Sequence, residues 1–528
     1  MGRYRSRFAL LTIVNENSAM TATEPLRPSR KLLKSKFFWV GVLYFAEGFP
    51  LGVFYDVIPV YFRQQGVELW KIGFMSLLGL AWTLKFLWAP AVDHFRHHRL
   101  WMFSANWLMA GVMLWFALQG EFGSWVWFAV GLLTLLSATN DIAIDGYTIE
   151  MLNKHEMGRA NGLRIAFYRV GMLASGFVLI FVGWFGWSGA YIVAMAILLC
   201  AGLACRAAPP ERDIQAAGTT SLMGELKALI THPAAFAVVI SFLLGVLWLV
   251  DRATGWSAAV AHFWGYGFGG AVLLAIFSAI FSKLFSTTEK TQPSVAVSER
   301  ASLTAGPMFG TLLEMLQRPY IVPVLIFILI FKLADSSMGF MIKPFWVDAG
   351  FSAGQIGLVS VNIGIGFAIA GGIAGGWYTD RVGIFRALWV LGLLQAVSNL
   401  GYAWVASVLP LVEAGTVVPL HHQIYLYAAS ATESFTGGLG TAAFLAFLMA
   451  IVNKRHAATE YALLSSVFAL SRSVAGWAGG FGAQIMGYAD YFLLTFFLAF
   501  PAYFLLPWVK KMMHYASQQK DWGQEESR

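Results

Sequence analysis

The sequence predicts an all-α membrane protein of about 14 spanning helices, two bundles of six with a further pair between them. Three observations lead there: the composition, the spacing of apolar runs, and a repeat shared by the two halves of the chain. The 528 residues are 58% hydrophobic and 16% aromatic, and only 12% are charged. Soluble domains carry about 25% charged residues, so roughly half the usual polar surface is missing. A soluble fold of this composition would expose large apolar patches and aggregate; lipid is the solvent that fits.

Apolar runs long enough to cross a bilayer fall at about 37–63, 70–92, 100–120, 124–150, 160–184 and 187–205. A charged, proline-bearing stretch follows, then runs at about 234–250 and 256–284, then a polar stretch to about 318. Six more runs lie at about 319–347, 353–379, 385–409, 423–452, 459–484 and 488–509. The expected organisation is a basic arm (1–36), a six-helix bundle (37–205), an inter-bundle region with two extra helices (206–318), a second six-helix bundle (319–511) and a tail (512–528).

Charge orients these runs. The formal net charge is +8, but the basic residues sit in short segments between apolar runs rather than in a nucleic-acid-binding patch. The arm holds eight of them, from Arg3 to Lys36, and its apolar stretch around 8–14 is too short to span and has no convincing cleavage site after it. With the arm in the cytoplasm, His94–Arg99, Lys154–Arg159, Arg381–Arg386, Lys454–His456 and Lys510–Lys511 all fall inside. The opposite loops keep few basic residues, chiefly Arg63, Lys71, Arg252 and Lys343. Basic residues stay on the cytoplasmic side, so both termini are expected there, and the absence of an Asn-x-Ser/Thr acceptor favours a bacterial inner membrane.

The repeat is weak but visible. "APAVDHFRHHR" (89–99) and "GGWYTDRVGIFR" (375–386) each end a run with an aspartate followed by arginines, Asp93 and then Asp380–Arg381. "YRVGMLASG" (168–176) echoes "SRSVAGWAGG" (471–480), which puts Arg169 and Arg472 in related positions. Two related six-helix halves suit alternating access.

The short aspartate-to-arginine loop in both halves resembles the signature of the major facilitator superfamily. Longer strings, among them "GFMSLLGLAWTLKFLWAPAVDHF" (73–95), "SATNDIAIDGYTIEML" (137–152), "FKLADSSMGF" (331–340), "ATESFTGGLGTAAFLAFLMAIVNK" (431–454) and "EYALLSSVFALSRS" (460–473), resemble the AmpG-type muropeptide permeases. That resemblance implies the major facilitator fold and proton-coupled uptake of muropeptides for cell-wall recycling. The wider family includes acetyl-CoA transporters, which leaves an acetyl-CoA or other amphiphilic anion as the alternative cargo. A membrane sensor or receptor is the remaining class, and it would leave the intramembrane charges unexplained.

Charges inside spanning helices cost about 2.5–3.5 kcal/mol each on insertion scales and mark functional sites by default. Here they are Glu47, Asp56, Lys85, Asp141, Asp145, Arg164, Arg169, Lys332, Asp335, Glu433 and Arg472. They fall on the first, second, fourth, fifth, seventh, tenth and eleventh core runs and avoid the third, sixth, ninth and twelfth. In the resembled fold the first set surrounds a central cavity and the second faces lipid.

Asp141 and Asp145 lie one helical turn apart, so their carboxylates share a face. Mutual repulsion in a low-dielectric cleft favours holding a proton, as coupling requires; a locking salt bridge to Lys85, Arg164 or Arg169 is the plainer account. Glu433, in an apolar glycine-rich run, is the second-half candidate, or else stays protonated on a neighbouring hydroxyl. Lys332 and Asp335 pair across one turn, or Lys332 meets an anionic cargo. Arg169 and Arg472 present planar donor forks, each expected beside a carboxylate of the cargo or of a gate. Glu47 stands by Gly48 and Pro50 in a run whose bend a cavity can absorb. Asp93, Asp380 and Arg381 suit a cytoplasmic gate. Tyr44, Tyr55, Tyr147 and Tyr168 are candidates to stack on sugar rings.

No catalytic residue, metal site or cofactor is expected. Cys200 and Cys205 read as small packed residues, and His94, His97 and His98 as a solvated basic loop. "GYGFGG" (265–270) lies in an apolar run with no Rossmann context. Like the pairs Gly372/Gly376 and Gly476/Gly480, it suits close helix packing. The expected partners are protons, an amphiphilic muropeptide-like molecule and the bilayer, with no nucleic acid.

Overall fold

Backbone amides within a bilayer have no water to bond, so a spanning segment must close its hydrogen bonds internally. The computed structural model describes residues 35–211 and 315–525, apart from 86–87, 90–91, 93–96, 120–122, 124, 153–156, 316–317, 413–416 and 453–456. Those residues form helices and their connections, with no strand among them. Nine of the described helices are long and apolar enough to cross a membrane. In chain order the helices are α1 (Lys36–Gln64), α2 (Leu69–Leu84), α3 (His98–Leu118), α4 (Trp125–Met151), α5 (157–185) and α6 (187–207). The second set is α7 (Ile321–Asp348), α8 (Ala353–Val382), α9 (Ile384–Val408), α10 (Leu420–Ile451), α11 (Ala457–Met486) and α12 (Tyr488–Gln518). The hydrogen-bonded helix Met157–Ala207 is divided into α5 and α6 at Gly186, whose φ of 65° combined with ψ of −177° suits glycine alone. The predicted pair at 234–250 and 256–284, and the "GYGFGG" stretch, lie outside the described residues.

Each half forms its own bundle. α1 packs on α5 and on α4, and α3 on α4 and on the α5–α6 unit; in the second half α10 packs on α8 and α9, and α9 on α12. The bundles meet along two seams, α2 with α11 and α5 with residues 353–363 of α8, and where the end of α1 touches α7. α11 is absent from the nine spans and α2 counts only as a shorter apolar helix. α2 falls short by length alone, whereas α11, which is less apolar, faces α2 across the seam rather than lipid alone.

Glycine sets the seam spacing. A Cβ on Gly73 of α2 would lie 2.7 Å from the Gly480 Cα and 2.8 Å from the Gly476 carbonyl oxygen. A Cβ on Gly357 of α8 would lie 2.4 Å from the Gly176 carbonyl oxygen of α5. Gly476 and Gly480 therefore bring helices together as expected, but Gly372 and Gly376 do not. Both have open space around their Cβ positions, and their neighbours Gly371 and Gly375 press on α10 instead.

The face where α1 starts is called basal below, and the face where it ends distal. Near the distal face the two halves repeat a local design that the sequence analysis did not register. Pro59 precedes Arg63 at the end of α1 as Pro344 precedes Asp348 at the end of α7. Each chain then turns on a glycine with positive φ, Gly66 at 75° and Gly350 at 89°. Irregular backbone marks the interior too. α1 contains Pro50 and widens to π-helical geometry over Val53–Val57, α8 does so over Ile356–Ile363, and α7 breaks at Lys332, at φ −99° and ψ 7°. π-bulges of this kind gather at functional sites. At the other end, helix Leu506–Glu525 carries α12 through the stretch read as a tail.

At the basal end of the second bundle, Arg318 makes a forked hydrogen bond to Glu460, which is fully buried. Removing one partner of such a pair costs about 3–5 kcal/mol, whereas replacing both with apolar residues is often neutral. Arg318→Met should therefore lower the melting temperature of the purified protein by several degrees. The double variant Arg318→Met/Glu460→Leu should recover most of the loss.

Candidate functional site

The ionisable side chains of the interior fall into three groups, one within each bundle and one across the seam between them. The first lies in the basal half of the first bundle. Lys85 Nζ is 3.7 Å from both Asp141 Oδ2 and Asp145 Oδ2, and Arg164 Nη2 is 3.1 Å from Asp145 Oδ1. The Tyr44 hydroxyl donates to Asp145 Oδ1 at 2.8 Å, and Arg164 lies 4.7 Å over the Tyr44 ring. Glu47 is buried beside them, and its Oε2, like Asp141 Oδ1, has no hydrogen-bond partner among the described residues. The one-turn spacing of Asp141 and Asp145 gives them a shared lysine, as expected, while Asp145 takes most of the remaining donors.

The second group occupies the middle of the second bundle. The break in α7 presents Lys332, which is 2% exposed, to Gln395 Oε1 at 2.8 Å, Asp335 Oδ2 at 3.3 Å and the Gly437 carbonyl at 3.5 Å. Glu433 Oε2 accepts from the Ser434 hydroxyl at 3.3 Å. A Cβ on Gly437 would lie 3.8 Å from Glu433 Oε1 and 3.9 Å from Asp335 Oδ1, so that glycine leaves room for both carboxylates. Gln395 is a contribution from α9, a helix whose lack of charge had suggested a purely lipid-facing role.

The third group spans the seam. Lys343 Nζ on α7 is 3.5 Å from Asp56 Oδ1 on α1 and donates to Ser360 Oγ on α8 at 2.7 Å. The Arg472 guanidinium lies 3.8 Å over the Tyr55 ring, which in turn meets Phe340 edge-on at 5.4 Å. Arg169 is within electrostatic reach of Arg472 and Asp56. Neither arginine forms an ion pair among the described residues, and Asp56 pairs with Lys343 instead.

Beyond this group the distal face is sealed. Arg63 Nε meets Asp348 Oδ1 at 2.6 Å across the bundles, and the Tyr488 hydroxyl donates to Asp348 Oδ2 at 2.6 Å. The Leu69 amide donates to Gln484 Oε1 at 3.0 Å, and Trp70 stacks on Phe481 at 5.8 Å. Among the described residues, α5 meets α8 through residues 353–363, the distal part of that helix, and the Arg164 side chain nearer the basal face is 42% exposed.

Of the remaining candidates, Asp93 lies outside the described residues. Asp380 and Arg381 are exposed at the basal end of α8, with Arg381 4.2 Å over the Trp377 ring. Tyr147 is buried with its hydroxyl on the Pro209 carbonyl, away from the cleft. His98 is not solvated, as the loop reading had it, but buried with Nε2 3.6 Å from Glu150 Oε1. No cluster of metal-ligating side chains occurs among the described residues. Lys343, Arg63, Asp348 and Gln395 were missed or assigned to loops. The clue to three of them was the repeated proline before each helix end.

No family model matches the chain. Solved structures share its architecture: a POT family transporter in complex with 5-aminolevulinic acid superposes with a TM-score of 0.60 at 12% identity, covering 90% of this chain and 96% of the other. The nucleoside transporter NupG superposes with a TM-score of 0.55 at 12% identity, covering 90% of this chain and all of the other. The chain has the major facilitator fold. By sequence, the anhydromuropeptide permease of Escherichia coli K12 is 25% identical over 484 residues, which span 90% of this chain and 79% of the relative. A protein named "Putative transporter AmpG 4" from Rickettsia conorii is 23% identical over 484 residues, spanning 89% of this chain and 95% of the relative. Both alignments run through both bundles of the major facilitator fold, and the chain is an integral membrane protein.

The distal seal yields a direct test. In a Cys200→Ser background, Ser360→Cys, buried beneath the seal, should react slowly with an impermeant maleimide added at the distal face. Adding Asp348→Ala removes the partner of Arg63, and losing about 1.4 kcal/mol of charge-assisted bonding should speed the reaction about tenfold.

Proposed function

We propose that this protein is a proton-coupled transporter that takes up muropeptides across a bacterial inner membrane by alternating access. The basal face and both termini are then cytoplasmic, as the basic residues between helices indicate. The transport reading rests on one observation: ionisable side chains gather within and between two bundles whose described cross-bundle ion pairs lie at the seam and the distal face. The cargo is taken from the relatives, whose similarity covers both bundles. On this reading the protein makes and breaks no covalent bond, and the described geometry corresponds to an inward-facing state.

Charge arithmetic supports the coupling. Glu47, Asp141 and Asp145 face two cations, Lys85 and Arg164. Asp335 and Glu433 face Lys332, and Lys343 also acts on Glu433. The first cluster thus holds one carboxylate more than its nearby cations, and a surplus charge in a low-dielectric interior is most cheaply neutralised by a proton. Asp141 is the leading coupling residue in the first bundle, with an oxygen left without a partner, and Glu433 is its counterpart in the second. Glu47 shares the first proton site. Lys85 and Lys332 respond to its occupancy, while Asp93, Asp380 and Arg381 act as the basal gate when the cleft closes there.

Uptake of labelled anhydro-muropeptide and labelled acetyl-CoA into membrane vesicles, compared side by side under a proton gradient, tests the cargo; accumulation of the muropeptide alone is expected. Asp141→Asn should abolish gradient-driven accumulation and leave exchange of cargo across the membrane intact. Accumulation with an unchanged pH dependence in that variant would remove Asp141 from the coupling site.

A further inference from the structure

Six carboxylates and six cations lie in the three interior groups, but two of the cations have no carboxylate of their own. Asp56 and Lys343 pair with each other, and Lys85, Arg164 and Lys332 each have an aspartate. Arg169 and Arg472, one from each bundle, have no carboxylate within ion-pair distance among the described residues. They are nevertheless close enough to act on each other electrostatically, and Tyr168 feels both of them as well as Glu47 and Asp141. Arg472 is held in place by the face of Tyr55, whose ring is further flanked by Trp82 at 6.2 Å and Phe340 at 5.4 Å. A guanidinium stacked on an aromatic ring keeps its donor edge free for a planar acceptor.

Two like charges facing each other in a partly buried seam repel, and they persist there only if something negative lies between them for part of the cycle. Asp56 acts on Arg169 but is already paired with Lys343, and no carboxylate lies within ion-pair distance of Arg472 among the described residues. We propose that Arg169 and Arg472 together bind the carboxylates of the cargo, with Tyr55 and Trp82 as the adjoining platform for its ring. This rests on the reading of the cargo as a sugar-peptide, and it adds where and by what groups that cargo is recognised. It also matches the charge balance: protons taken up by the carboxylate clusters offset the anions held by the arginines, so the loaded interior keeps the balance of six carboxylates and six cations that it has when empty.

The test uses two labelled probes, an anhydro-muropeptide with free carboxylates and the same molecule with its carboxylates amidated, taken up by vesicles containing the full-length protein. The wild-type protein should favour the free form by about tenfold or more, the value of one charge-assisted forked contact. Arg169→Gln and Arg472→Gln should each raise the KM for the free form until the two probes are alike. Arg472→Lys, which keeps the charge and loses the fork, should recover only part of the preference. If the variants transport too little to measure, equilibrium binding of both probes to purified protein gives the same comparison. Discrimination preserved in both glutamine variants, by either measurement, overturns the proposal. A wild-type protein that takes up neither probe sinks the sugar-peptide reading instead. Labelled acetyl-CoA is then the probe, and arginine-dependent uptake of it would replace carboxylate with phosphate at this site and overturn the assignment made here.

Discussion

A charge within hydrocarbon must be paired, neutralised or hydrated, and that single constraint organises this molecule. Ionisable groups cost about 2.5–3.5 kcal/mol each at the centre of a spanning helix, so they are tolerated only where another polar surface meets them. Two helical bundles create that surface along their seam. Lys85 has its aspartates, Lys332 its aspartate and glutamine, and Lys343 an aspartate from the opposite bundle. The outer surfaces remain apolar, with Trp184, Ile373 and Ile485 each more than two-thirds exposed.

The same constraint explains the irregular backbone. A straight α-helix presents no free polar groups from its main chain to a cleft. Pro50 and the π segment of α1, the break at Lys332 in α7 and the π segment of α8 each alter the helix where it borders the interior. Such features are tolerated in membranes only where protein or a cavity surrounds them. Glycine does the complementary work at the seams, letting backbones approach until Gly73 meets Gly480 and Gly357 meets Gly176. Without that approach, the Arg63–Asp348 pair could not bridge the bundles.

The relation between the halves extends further than a loop signature. The segments from Pro59 to Gly73 and from Pro344 to Gly357 follow one plan: proline, a charged helix end, a glycine turn, then a glycine pressed on the other bundle. Within that plan one half carries arginine and the other aspartate, so a two-fold relation turns a repeated position into a complementary pair. Symmetric ancestry alone would place like residues opposite each other; the difference in charge is what lets the distal face close.

The sequence by itself located the long apolar segments among the described residues and showed which of them carry charge. Apolarity over about 20 residues is a local property, and charges cannot hide in a run that must face lipid. It also located most of the polar interior, because one-turn spacings such as Asp141 with Asp145 or Lys332 with Asp335 are set by helix geometry alone. Only the tertiary structure decided who meets whom across the bundles. Arg63 and Asp348 are 285 positions apart, and Asp56 finds Lys343 rather than Arg169 because of how α1 and α7 cross. It also moved Lys343 from an expected loop to a buried seam, and gave the open space to Gly372 and Gly376 while Gly371 and Gly375 took the contact. Which face of a helix meets another helix is fixed by rotation and depth within the packed bundles, and a local pattern of residues does not encode either.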